Sequence, residues 1–188
     1  MFRLSGSPWL QPVLRALAVL VPILLAPVPP ALAAADNPSG LPLPRFASTR
    51  SDPINVRVGP GTKYDIAWVY VKAGLPVEII AEFDVWRKIR DVDGSEGWVH
   101  QNLLIGNRTG YVAPWAKGEQ IPLRTRADDE AAVRAYVTPG FKVDIGSCDG
   151  TWCAVSATDH PESGRPSTYS GYLPQTDLWG VYRDEKFD

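Results

Sequence analysis

The stretch INVRVGPGTKYDIAWVYVKAGLPVEII, residues 54–80, returns in altered form as IPLRTRADDEAAVRAYVTPGFKVDIG, residues 121–146. With one residue deleted from the second copy, Arg57 aligns with Arg124, Gly74 with Gly140 and, further on, Trp86 with Trp152. Each copy is a series of short β-rich runs punctuated by Gly and Asp turns, with hardly any helical periodicity. The copies also end alike, GWVHQNLLIG from Gly97 against GYLPQTDLWG from Gly171. Their difference in length falls near residues 157–168, where a Pro-, Ser- and Gly-rich composition reads as a longer surface loop. The chain is therefore expected to be all-β, with one domain at 54–106 and a second at 120–184. The connector, 107–119, carries Tyr111, Val112 and Trp115, which implies that it packs against a domain instead of floating.

Strand parity adds a finer expectation. In VWRKIR, Trp86 and Ile89 are three residues apart, so a regular strand sends their side chains to opposite faces. With Ile89 in the core, Trp86 stands outside it. Trp152 and Val155 repeat the arrangement. Two indoles on the non-core face need cover from a loop, the other domain or a ligand.

The first 35 residues differ in kind from the rest. Arg3 and Arg15 precede an apolar run from Ala16 to Ala26, followed by small residues at Ala31, Ala33, Ala34 and Ala35. As a helix the run would rise about 16 Å, against a hydrocarbon core of roughly 30 Å, so it is too short for a membrane anchor. It reads as a signal peptide, residues 1–35, cleaved after Ala33 or Ala35. Export then leads to the periplasm or the extracellular side, with no stable membrane insertion after cleavage. Residues 36–53, with Pro38, Pro42, Pro44 and Pro53, read as a tether.

The whole chain has 19 basic and 21 acidic side chains, and losing Arg3 and Arg15 makes the remainder more acidic still. Without a basic cluster to neutralise phosphates, nucleic-acid binding is not expected. Cys148 and Cys153, in SCDGTWC, are expected to form a disulfide in an oxidising compartment. Asp149-Gly150 between them signals a tight hairpin that would bring the two thiols face to face.

At these residues the sequence resembles the bacterial SH3 (SH3b) family. The resemblance rests on residues 54–80, on Trp86 opening a strand and on GWVHQNLL near the domain end. It is weaker in the second copy, where GPGT (Gly59–Thr62) is replaced by Arg126–Asp129 and Trp98 by Tyr172. The resemblance implies two small SH3-like open β-barrels in tandem. It also implies a cell-wall-targeting or protein-binding role, with peptidoglycan or an envelope protein as the partner. Carried over by position, the family's ligand groove involves Asn55, Tyr64, Trp86 and Trp98, with Trp152 as the second-domain counterpart. The other reading of Tyr64 and Trp98 is that they pack within the barrel.

A catalytic centre is not expected. Outside the repeats only the tether and connector remain, and nucleophilic catalysis needs a nucleophile, a base and an orienting group on a rigid scaffold. His100 and His160 fall in a domain end and in the inserted loop, and two isolated histidines do not make a zinc site. DVDGSEG, residues 91–97, is too short for a calcium-binding EF-hand loop and reads as a hairpin turn around Asp93-Gly94. No cofactor and no metal are therefore expected, and the function reads as binding.

Overall fold

In the computed structural model, which describes residues 37–188, the chain folds into two open barrels built on one plan. The signal peptide expected over 1–35 lies outside the described residues. The first barrel comprises β1 (Arg45–Thr49), β2 (Ile54–Arg57), β3 (Ile66–Tyr70), β4 (Pro76–Phe83), β5 (Trp86–Arg90), β6 (Glu96–His100) and β7 (Leu104–Ile105). Its sheet runs in the order β3-β2-β6-β5-β4-β1-β7. The second comprises β8 (Arg108–Val112), β9 (Ile121–Arg124), β10 (Val133–Val137), β11 (Lys142–Asp149), β12 (Trp152–Asp159), β13 (Ser167–Pro174) and β14 (Leu178–Trp179). The order β10-β9-β13-β12-β11-β8-β14 is the first sheet repeated strand for strand. A terminal strand, β15 (Lys186–Phe187), adds to β11.

The period-2 pattern explains which residues enter the cores. Ile54 and Val56 on β2, Ile89 on β5 and Val99 on β6 are fully buried, whereas their strand neighbours face outward. Leu123, Val143, Val155 and Leu173 do the same in the second barrel. Gly74 and Gly140 hold φ of 68° and 79°, a conformation that costs glycine little. Each turns the chain so that its N–H reaches a carbonyl of the first strand, Thr49 in one barrel and Val112 in the other.

Three boundaries differ from the sequence expectation. The supposed tether, 36–53, contains β1, which pairs with both β4 and β7. The supposed connector, 107–119, contains β8, the corresponding strand of the second barrel, and Val112 is wholly buried while Trp115 is 58% exposed. The turn-rich composition on either side of each short strand concealed it. The stretch near 157–168 is mostly a continuation of the β12–β13 hairpin, paired as far as Asp159 and Ser167. It forms an arm, and β15 extends the second unit beyond residue 184.

The barrels dock through β1 and β8. Ser48 and Thr109, both buried, are joined at 2.7 Å. Because Ser48 Oγ donates its proton to Asn107 O, the Thr109 hydroxyl donates to Ser48. Phe46 packs against Trp179 and Tyr182 with ring centroids 5.2 and 4.8 Å apart, and the Tyr182 hydroxyl donates to Glu78 Oε1 at 2.9 Å. Burial, followed by the neighbouring Glu78 carboxylate, raises the Tyr182 pKa.

The barrels solve one interior position differently. In the first, Glu82 and Arg87 are cross-strand partners, both buried. Glu82 accepts from the Ser39 N–H and hydroxyl and from Arg45, and Arg87 Nε lies 3.2 Å from its carboxylate. Burial pushes the Glu82 pKa up, but the Ser39 and Arg45 hydrogen bonds prevail and hold it below the usual carboxylate value. The corresponding cross-strand pair in the second barrel is the Cys148–Cys153 disulfide, as expected from the sequence.

Candidate functional site

Parity is obeyed on β5. Arg87 and Ile89 point inward, and Trp86, Lys88 and Arg90 point outward. On β6, Gly97 and Val99 are inward, leaving Glu96, Trp98 and His100 outside. The register sets Trp86 opposite His100, Lys88 opposite Trp98 and Arg90 opposite Glu96. Arg57 of β2 flanks Trp98 on its other side. Trp98 is thus on the outer face, and of the two readings of this residue the packing within the barrel is the one the fold excludes.

The face is ordered by polar contacts. Trp86 and His100 meet edge to face, with centroids 5.6 Å apart. His100 Nδ1 accepts the Asn102 N–H at 3.2 Å, capping a short 3-10 turn, so the proton of the neutral ring is on Nε2. Lys88 and Arg90 both reach Glu96, at 2.6 and 3.0 Å, and Arg90 also reaches Glu78 at 3.2 Å. The hydrogen bond from Lys88, then those from Arg90, lower the Glu96 pKa.

Tyr64 belongs to the loop after β2. Its ring lies over Gly59, where a Cβ would come within 2.6 Å of it, so only a glycine fits beneath. Arg57 Nη1 donates to the Tyr64 carbonyl at 2.7 Å and ties the loop to the Trp98 side of the face. Asn55 is exposed on the same face of β2, two residues from Arg57. The fold therefore places Trp86 and Trp98 diagonally across β5 and β6 on one outer face, and links Tyr64 and Asn55 to them through Arg57 and β2. Arg57, Lys88 and His100 complete the face. The alignment of Arg57 with Arg124 was the available signal for the first, and outward parity for the other two.

The second barrel keeps the frame and changes the chemistry. Arg124 Nη1 donates to Ala131 O at 2.8 Å, as Arg57 does to Tyr64. The loop repeats the backbone bonds of the first without its glycines: Thr125 N–H to Ala132 O, Asp128 N–H to Arg126 O and Ala131 N–H to Asp128 O. Asp128 Oδ1 accepts the Glu130 N–H, an Asx turn in place of Gly-Pro-Gly. On the outer face Trp152 stands opposite Pro174, Ala154 opposite Tyr172 and Ser156 opposite Ser170, so Lys88, Arg90, Glu96 and His100 of the first barrel have uncharged counterparts, while Arg124 flanks Tyr172 as Arg57 flanks Trp98. A cavity of about 490 Å³ lies beside Trp152 and Tyr172, bordered by Lys186 and Phe187. Among the described residues, no three His, Cys, Asp or Glu side chains converge as a metal site, and no helix is long and apolar enough to cross a membrane.

The profile of the Bacterial SH3 domain family matches residues 50–106 and 117–180, and the chain belongs to that family. No curated protein matches it. Solved structures similar to it include NlpC2 and NlpC1 of Trichomonas vaginalis, at 12% and 13% identity and a TM-score of 0.29 each. The matches cover 72% and 74% of this chain but 48% and 46% of those proteins, so the chain spans about half the length of each.

Proposed function

We propose that this tandem bacterial SH3 protein is an exported, non-catalytic binding module of the cell envelope that takes up peptidoglycan peptides on the outer face of its first barrel. The observation that carries the reading is the cross-strand placement of Trp86 and His100 beside Trp98, Lys88 and Arg57. Aromatic faces offer rigid contact area at small entropic cost, and the flanking cations and ring N–H groups suit carboxylates and amides of a short peptide. Asn55 and Tyr64 extend the same surface toward the first loop. A binding role is favoured over chemistry because the titratable groups of this face are engaged with one another or with backbone, leaving no nucleophile and base pair facing each other.

Co-sedimentation with purified peptidoglycan sacculi tests the proposal. Retention of the native protein, lost on Trp86→Ala and Trp98→Ala with folding preserved, is the expected outcome. No retention on sacculi, together with cross-linking to one specific envelope protein, would instead identify an interaction adaptor. Cell fractionation checks the periplasmic location.

A further inference from the structure

The two barrels fill their open ends differently. In the first, Trp68 and Tyr70 of β3 pack against the core, with centroids 6.1 Å apart and planes at 81°. A ring carbon of Trp68 lies 3.0 Å from where a Cβ on Gly97 would stand, and the Tyr70 hydroxyl donates to Asp91 Oδ2 at 3.2 Å. In the second barrel the registers are the same: Leu123 opposite Ala135 and Ile121 opposite Val137 match Val56 opposite Trp68 and Ile54 opposite Tyr70. Ala135 and Val137 thus stand for the indole and the phenol, and Ala157, two residues past Val155, stands for Asp91. A cleft of about 460 Å³ lies there. Val137 and Ala157 are buried within it, Phe141 lines it, and Tyr136 and Tyr169 stand exposed at its rim.

We propose that this cleft docks an extended segment of a partner protein, which adds as a strand beside β10 and inserts an aromatic side chain where the first barrel uses its own Trp68. Three features select that occupant. The first barrel displays an aromatic pair at the two positions that Ala135 and Val137 occupy with smaller side chains. β10 is the terminal strand of its sheet, so one row of its backbone donors and acceptors has no ladder partner, as strand addition requires. Arg134 and Asp159 line the cleft from β10 and from the arm, and neither has an ion-pair partner among the described residues. A segment with an acidic and a basic residue flanking its aromatics is matched at both walls. The cleft is distinct from the cavity beside Trp152.

The probe is an acetylated, amidated peptide copying residues 65–72, DIAWVYVK, which presents both aromatics between an aspartate and a lysine. Titrated into the ¹⁵N-labelled protein, it should shift the amides of Ala135, Val137, Ala157 and Tyr169 saturably. Replacing both peptide aromatics by Ala, or changing the protein by Ala135→Trp to fill the cleft from within, should weaken binding at least about tenfold. Should Ala135→Trp fail to fold, Tyr169→Ser, which restores the residue of the equivalent first-barrel position Ser95 on the exposed arm, carries the same expectation. Absence of shifts in these residues at millimolar peptide, or equal affinity in a folded cleft variant, overturns the proposal.

Discussion

Replacing Glu82 by Gln removes the negative centre of the first barrel. Its carboxylate accepts from Ser39 N and Oγ at 2.9 and 2.7 Å and from Arg45 at 2.5 Å, beside Arg87 Nε at 3.2 Å. Arg87, only 5% exposed, keeps its bonds to the Asp84 and Trp86 carbonyls and to Gln101, but those neutral acceptors leave its charge uncompensated. Removing one partner of a buried pair costs about 3–5 kcal/mol. Against a total stability of roughly 5–15 kcal/mol, that is a large fraction. Urea unfolding at neutral pH measures it. The folded pKa of Glu82 is depressed, so its contribution is fully present above the unfolded carboxylate pKa and is lost as pH falls through the lower folded value. Glu82→Gln should therefore flatten the acid limb of the stability profile. The second barrel also suggests a rescue: Glu82→Cys with Arg87→Cys places cysteines at the positions of Cys148 and Cys153, and the six-residue ring should recover about 2 kcal/mol. A loss below about 1 kcal/mol for Glu82→Gln, within the range of an exposed ion pair, refutes the reasoning. So does a double variant whose new thiols stay free after oxidative refolding.

Trp86→Ala should weaken sacculus retention by about 2 kcal/mol or more while costing less stability than the core truncation Ile89→Ala, for which roughly 2–5 kcal/mol is expected; chemical unfolding beside the retention assay separates them. Thiol titration of unfolded, unreduced protein should find no reactive group, because Cys148 and Cys153 are bonded. Phe46→Ala removes a ring held between Trp179 and Tyr182 and should cost roughly 3–5 kcal/mol, resolving one unfolding transition into two as the barrels uncouple; an unchanged single transition counts against the docking role of this contact.

What was legible in the sequence is what period-2 alternation and internal repetition can carry. Ile89 against Trp86 fixed the inner and outer faces of β5 because a strand has only two sides, and the alignment of Trp86 with Trp152 extended the inference to β12. Cys148 and Cys153 were readable because a short turn leaves such a pair little choice of partner. The strands β1 and β8 were not readable. Each is a run of five residues whose buried positions include Ser48, Thr49 and Thr109, so polar side chains hide a strand that is satisfied by docking and hydrogen bonds. Trp98 was ambiguous because an indole next to glycine fits either side of a barrel, and only the pairing with Lys88 and Arg57 settles which.

The repeat also serves as an internal control on function. Where both barrels keep a residue or a bond, the frame requires it: Arg57 and Arg124 tie the first loop in both, and Gly74 and Gly140 turn the chain in both. Where they part, the frame tolerates either choice, as at Glu82 and Arg87 against Cys148 and Cys153. The outer face carries the Lys88–Glu96–Arg90 ion pairs in one barrel and Ala154, Ser156 and Ser170 at those positions in the other, while the open end is plugged by Trp68 and Tyr70 in one and left as a cleft in the other. These departures do not coincide on one surface. The barrel with the ion-paired aromatic face has the filled end and the other barrel has the open one, so the two proposed surfaces do not compete for one place on the molecule, and the loop bonds that both barrels keep, through glycines in one and the Asp128 Asx turn in the other, leave the frame the same under each.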